Sequence, residues 1–194
     1  MNWGQLKTMA AVYTHRQGID YDSAQVPACD RLSQALDVQD NEAVASGSLT
    51  TTPDSRGMYS LALPADYARM KSVLIAGDPY YATSLVNLQA ELPDFEYAIS
   101  GNQLWACVSG TVSYSYGKLI APIVGDTNTG IILTRFPRAY LYAVVIEAYI
   151  QVQDFDAAQG YQTAFDDAVN GANGLQAFAR YDAGSRPATA FGRF

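Results

Sequence analysis

Residues 137–152 read PRAYLYAVVIEAYIQV and contain the longest apolar run of the chain. Pro137 suits the first turn of a helix, where its missing N–H has no partner to lose. The apolar residues that follow cover nearly every side of a helix, which predicts that the helix is buried on more than one side. The stretch therefore predicts a mainly helical protein built around this segment.

Apolar spacing predicts further helices on both sides of this segment. Two short helices are expected within residues 1–47. A last helix is expected to start after Asp154, a favourable N-cap, and to end at Asn173-Gly174. Between them, residues 48–134 alternate apolar and polar positions and contain hairpin turns such as Gly101-Asn102. The fold class predicted is α+β and mainly helical: a helix bundle with an inserted small antiparallel β-sheet and an extended C-terminal tail.

These patterns divide the chain into four expected segments. They are the N-terminal helices of the helical body at 1–47, a β-rich insertion at 48–134, the C-terminal helix pair of the body at 135–174, and an extended C-terminal arm at 175–194.

The composition narrows the class of protein. The net charge is −7, which argues against a dedicated nucleic-acid binder because phosphate affinity comes largely from Lys and Arg. Charged residues make up 16% of the chain, a low share that suits a surface partly buried against copies or partners, although a Tyr- and Ala-rich monomer would show it too. The longest apolar run, from Ala139 to Val152, contains Glu147 and Gln151 and is too short and polar to span a bilayer. No secretory signal is recognisable, so a soluble protein is expected.

Candidate catalytic residues are scarce. His15 is the single histidine, so a two-histidine metal site cannot form and any nucleophile–histidine pair would depend on it. No phosphate-binding glycine loop occurs. The Asp126-Asn128-Gly130 turn lacks the downstream acidic ligand of a calcium loop. Cys29 and Cys107 are isolated and are expected to be free thiols. We therefore expect no enzyme, no cofactor and no bound metal.

Two groups of residues are predicted to contact other proteins. The first lies on the sides of the helix that a small core would leave open, where a neighbouring subunit is expected to contact Tyr140, Tyr142, Ile146 and Tyr149. The second lies in the arm, where aromatic and Arg side chains, the usual anchors of interfaces, accompany a positive local charge. Its members are Phe178, Arg180, Tyr181, Arg186, Phe191, Arg193 and Phe194. The alternative for the arm is a frayed terminus without a role.

A different class of function also fits the sheet. A soluble module that binds carbohydrate or protein could use an aromatic sheet face. The aromatic residues available for it are Tyr59, Phe95, Tyr97, Trp105, Tyr114 and Tyr116.

The order of several short motifs resembles the head-to-tail adaptor, or connector, proteins of tailed bacteriophages. The strand that ends in Leu63-Pro64-Ala65-Asp66-Tyr67 is followed by a hairpin that begins Tyr97-Ala98-Ile99-Ser100-Gly101. The helix that begins Pro137-Arg138-Ala139-Tyr140-Leu141-Tyr142-Ala143 is followed by one with Asp154, Ala158 and Tyr161. The resemblance covers most of residues 2–173, and it is weakest over 111–134 and the last twenty residues.

This resemblance implies a structural virion protein. Members form a ring of about twelve copies below the portal and above a tail or nozzle protein, at the neck between head and tail. The arm is then expected to bind the portal. DNA passes through the ring without specific binding, because an acidic channel wall repels it. Assembly in the host cytoplasm and no membrane contact are implied as well.

Overall fold

A computed structural model of the chain describes residues 1–16 and 18–184. Its helices are α1 Trp3–Thr14, α2 Tyr21–Ala35, α3 Leu85–Glu91, α4 Ile131–Arg135, α5 Pro137–Gln151 and α6 Phe155–Gly184. Its strands are β1 Glu42–Ser48, β2 Tyr59–Ala62, β3 Tyr67–Ile75, β4 Asp78–Ala82, β5 Glu96–Ser100, β6 Gln103–Ala106 and β7 Thr111–Lys118.

The prediction of a mainly helical bundle with a small inserted sheet is wrong. Helices hold 45% of the residues and strands 24%, and the seven strands form one curled mixed sheet, a half-barrel. β1 accounts for part of the error, because the Ala, Ser and Gly residues in it have little strand preference of their own. It nevertheless pairs with β7 from Glu42↔Gly117 to Ser48↔Thr111, so tertiary pairing overrides local preference.

The chain divides into two compact units. One consists of Asn41–Leu119 and contains all seven strands together with α3; it is called the sheet unit here. The other consists of Met1–Asp40 and the chain from Ile120 onward, and contains the five remaining helices; it is called the helical unit.

The sheet unit is organised by the strand order β1-β7-β3-β4-β5-β6-β2. Neighbouring strands are antiparallel, except that β4 and β5 run parallel through the pairs Tyr81↔Glu96 and Ala82↔Tyr97. The two edge strands approach each other, because the Thr50 N–H just beyond β1 donates to the Ser60 carbonyl of β2 at 2.9 Å. The curled sheet encloses its own apolar core, in which Leu104 and Val112 are fully buried.

The helical unit is built around α5, which packs against α1, α2, α4 and α6. Every residue of α5 from Ala139 to Tyr149 is buried except Tyr142, which is partly exposed. The neighbouring helices start where their sequence provides a cap. The Asn2 side chain and Gln5 form a capping box on α1, and the Asp20 carboxylate accepts the Asp22 and Ser23 N–H groups at the start of α2.

The predicted end of the last helix at Asn173-Gly174, and an arm extended from residue 175, are also wrong. α6 continues through both residues to Gly184. The Asn173 side chain does not cap its own helix, because it binds backbone groups at the end of α2. A helical Gly174 costs only about 1 kcal/mol relative to Ala, and the Ala residues at 172, 177 and 179 favour continuation.

Candidate partner-binding surfaces

α6 is attached to the helical unit along its first two thirds. Phe165, Val169 and Ala172 are buried on its inner face. A further attachment is Asn173, whose Oδ1 accepts the Asp37 N–H at 2.7 Å and whose Nδ2 donates to the Ala35 carbonyl at 3.1 Å. The side chain of Asn173 thereby satisfies backbone groups that the end of α2 leaves without helical partners.

Beyond Asn173 the helix runs past this attachment. The residues from Gly174 to Gly184 add about 16 Å of helix at 1.5 Å per residue. Leu175 is 70% exposed at its start. The predicted arm residues Phe178, Arg180 and Tyr181 lie in these last turns. The others, Arg186, Phe191, Arg193 and Phe194, lie outside the described residues.

The four residues predicted at a subunit contact lie on α5, and three of them are covered by the chain's own helices. The Tyr140 hydroxyl accepts a hydrogen bond from Gln25 Nε2 at 3.0 Å and lies 3.1 Å from Cys29 Sγ. Its ring meets the Trp3 ring edge-on at 6.3 Å. Burial raises the pKa of Tyr140 far above its usual value and that of Cys29 to about 11. Tyr140 is therefore a core residue in the single chain.

Tyr142 and Tyr149 belong to a cluster of four tyrosine rings with Tyr13 and Tyr161. The Tyr149 and Tyr161 rings stack at 5.7 Å, and Tyr142 meets Tyr13 edge-on at 6.1 Å. The Tyr149 hydroxyl donates toward the carbonyls of Tyr13 and Thr14 at the end of α1, each at 3.3 Å, so it satisfies helix-end groups.

One premise of the subunit-contact prediction is not met. Ile146 and Tyr149 are buried within one chain, as Tyr140 is, so a single small core does cover most of α5. A contact through these four residues stays a prediction. Tyr142 is the one among them that keeps exposed surface to offer.

The aromatic face considered for a carbohydrate- or protein-binding module is mostly core. Tyr97, Tyr114 and Tyr116 are buried inside the curled sheet, and Tyr59 packs against them. Trp105 is partly buried against Met58 and Leu88. Phe95 differs from the rest, because half of its surface is exposed.

Phe95 belongs to a surface that the sequence patterns did not reveal. Tyr81 on β4, and Leu92 and Phe95 in the connection from α3 to β5, are all exposed. The Tyr81 N–H donates to the Phe95 carbonyl at 2.9 Å, which holds the first and last of these residues side by side. The sequence does contain one signal for this surface. The segment that carries these three residues lies between Lys71 and Lys118 and contains no Lys or Arg. These three residues are called the apolar patch below.

The described residues offer little else for chemistry. No group of three or more His, Cys, Asp or Glu side chains among them is placed to hold a metal ion. No helix in the described part is both long and apolar enough to cross a membrane.

Two comparisons with known proteins bear on identity. No curated protein matches the chain. The family model described as SU10 adaptor protein matches residues 1–190, which is nearly the whole sequence. The chain therefore belongs to the SU10 adaptor protein family, a family of bacteriophage head-tail adaptors.

Proposed function

We propose that the protein forms a closed ring of about twelve copies that joins the portal of the phage head to a tail or nozzle protein. The ring sits at the neck of the virion and continues the DNA channel, and it is assembled in the host cytoplasm. The observation that carries the proposal is the family match over residues 1–190.

The charge distribution supports passage of DNA without specific binding. Residues 1–174 contain nine Lys and Arg against eighteen Asp and Glu. A surface with that excess of carboxylates repels a phosphate backbone, so a duplex inside the ring is free to slide.

The portal contact is assigned to the C-terminal arm, residues 175–194. Support comes from the continuation of α6 beyond Asn173 to Gly184, where the arm begins with Leu175, a large apolar residue that is 70% exposed. The arm carries Arg180, Arg186 and Arg193 against the single acidic residue Asp182. A basic segment rich in aromatic residues suits an acidic site with apolar pockets on the portal.

The arm can be tested by two truncations in the presence of the portal. Deleting 175–194 removes the helix beyond its attachment, and deleting 185–194 removes only the final segment. Both variants should keep the far-ultraviolet circular dichroism of a folded protein. In sedimentation with purified portal rings, the longer deletion should abolish co-migration and the shorter one should weaken it.

Size determination with and without portal provides the companion measurement. The full chain should give ring-shaped particles by negative-stain microscopy, at least when portal is present. A full chain that stays monomeric on portal contradicts the ring. Normal co-migration of the protein that lacks 175–194 contradicts the role of the arm.

A further inference from the structure

We propose that the apolar patch of Tyr81, Leu92 and Phe95 is a second docking surface, which binds a basic protein segment that carries apolar side chains. The segment belongs to the tail-side protein, which is the one of the two partners that the C-terminal arm does not bind. In this respect the inference rests on the proposed function, which requires two different partners.

The three side chains leave water-exposed surface that the chain does not cover. Tyr81 is 69% exposed, Phe95 50% and Leu92 47%. The Phe95 ring contacts the Tyr80 ring at 5.5 Å, so one side of it is fixed while the other faces out. Exposed aromatic side chains held in one orientation lose little conformational freedom on binding, which makes them effective anchors.

The backbone at this surface is held in an unfavourable conformation. Phe95 has φ 61° and Leu92 has φ 44°, which is the left-handed region that glycine adopts most readily. A bulky residue in this region costs about 1–2 kcal/mol. Glycine at position 95 would avoid that cost, and the contact with the Tyr80 ring accounts for only one side of the half-exposed phenylalanine. A partner that buries the ring accounts for the other side.

The segments that form the apolar patch also carry carboxylates. The acidic residues of the segment between Lys71 and Lys118 are Asp78, Glu91, Asp94 and Glu96. None of these four enters an ion pair of the described residues. Three of them act on two neighbouring side chains. The pKa of Tyr80 is raised by burial first and then by Asp78 and Asp94, and the pKa of Cys107 is raised by burial first and then by Asp94 and Glu96.

The charge decides what kind of partner fits. Apolar anchors on segments with unpaired carboxylates favour a partner segment with Arg or Lys beside its apolar side chains. The acidic body of a second copy is disfavoured for the same reason. The arm of a neighbouring copy is basic and aromatic, and it is the competing occupant that an experiment must separate.

The two proposed docking surfaces, the C-terminal arm and the apolar patch, also differ in charge. The arm is basic and the segments that form the apolar patch are acidic, so a partner that complements one is repelled by the other. Such an arrangement would let one chain discriminate between the protein above it and the protein below it.

The test uses a phage that lacks its own adaptor gene and is supplied with variants of the full-length protein. Phe95→Gly removes the ring and relieves the backbone, so it should not unfold the sheet unit. The triple variant Glu91→Lys, Asp94→Lys, Glu96→Lys reverses the charge at three of the four carboxylates. Val44→Ser is the matched control, because Val44 is also exposed on the sheet unit but lies on β1. Electron microscopy then shows whether the heads carry tails, and immunoblotting shows whether they carry the adaptor.

We expect both patch variants to give heads that carry the adaptor but lack tails, with infectious particles reduced about tenfold or more. Val44→Ser should behave as wild type. Normal tail attachment by both patch variants overturns the proposal. Loss of the adaptor from heads overturns it too, since the patch would then serve the portal or the ring. A different result would contradict the proposed function: the protein that lacks residues 175–194 would still be found on heads.

Second-site mutations that restore infectivity to the triple variant identify the occupant of the apolar patch. Restored infectivity through replacement of Lys or Arg by an acidic residue in the tail-side protein supports the proposal. Suppressors confined to the arm of this chain, at Arg186 or Arg193, overturn it by assigning the patch to a neighbouring copy.

Discussion

Leu61 lies so close to the backbone of Gly47 that a Cβ atom on Gly47 would be 2.8 Å from Leu61 Cδ1. The two residues belong to β1 and β2, the two ends of the strand order of a seven-stranded sheet. The hydrogen bond from Thr50 to Ser60 joins the same two edges. The sheet therefore curls so that its two edge strands approach each other at this point, and the missing side chain at position 47 leaves room for Leu61.

Gly47→Val should destabilise the sheet unit by about 1–3 kcal/mol, because the added side chain overpacks against Leu61. Valine is otherwise favoured in strands, so a loss must come from this contact. Urea unfolding measures the change, and Leu61→Ala in the same chain should recover part of it. Ser46→Ala, on the exposed side of β1, is the control and should be near neutral. Equal losses at positions 46 and 47 would contradict the contact.

Asn173→Ala should loosen the attachment of α6 to the end of α2. The substitution removes the acceptor of the Asp37 N–H and the donor to the Ala35 carbonyl, and the loss of these two hydrogen bonds costs about 1–3 kcal/mol. Hydrogen exchange should become faster in the turns of α6 nearest Asn173 and at the end of α2. Asn170→Ala on the exposed side of the same helix should leave exchange unchanged. Unchanged protection in the Asn173 variant would show that the side chain does not hold the helix.

Arg31→Met should be among the most damaging single changes in the helical unit. Glu147 is buried on α5, and its Oε1 accepts from Arg31 Nε at 2.8 Å and from a terminal guanidinium nitrogen at 2.6 Å. Removing Arg31 leaves that buried carboxylate without its cation, which should lower the free energy of unfolding by about 3–5 kcal/mol, measured by thermal or urea unfolding. Arg138→Met, at an exposed position of α5, should shift stability by less than about 0.5 kcal/mol.

The double variant Arg31→Met, Glu147→Met tests the reason for that loss. Without a buried charge to compensate, it should be much more stable than Arg31→Met alone. Equal stability of the two variants would mean that packing against Phe165, which the Arg31 guanidinium faces at 5.9 Å, matters more than charge.

Patterns of single residues predicted the helical unit better than the sheet unit. α5 and the start of α6 follow from apolar spacing and from caps such as Asp154, which are local signals. β1 and the parallel pairing of β4 with β5 do not, because both depend on strands distant in sequence. The continuation of α6 was missed for a similar reason: Asn173-Gly174 reads as a stop, but its side chain has a partner on α2.

The candidate surfaces show the same division between local and tertiary information. The basic and aromatic content of the arm is visible in the sequence, although its helical first half is not. Phe95 was assigned to a strand face together with Tyr97, because alternation could not reveal the positive φ that turns residue 95 outward before β5 begins. The burial of Tyr140 also required the fold, since only the packing of α2 against α5 provides Gln25 and Cys29 as its partners.

The pair of Cys29 and Tyr140 should make stability fall at alkaline pH. Cys29 is 1% exposed, and burial raises its pKa from 9.0 to about 11. Between these values the unfolded chain releases the thiol proton while the folded chain keeps it, so the free energy of unfolding decreases as pH rises. The stability is fully present below pH 9, and the loss attributable to Cys29 is on the order of 1 kcal/mol at pH 10.

Cys29→Ala removes this contribution together with the contact of the thiol with the Tyr140 hydroxyl, which keeps its hydrogen bond from Gln25. Its cavity lowers stability equally at every pH, so the difference between pH 7 and pH 10 isolates the thiol. In urea unfolding, the wild type should lose on the order of 1 kcal/mol more stability over that interval than the variant does. Above pH 10 both proteins should lose further stability, because burial also raises the pKa of Tyr140. Parallel pH curves for the two proteins would show that the thiol does not titrate as a buried group.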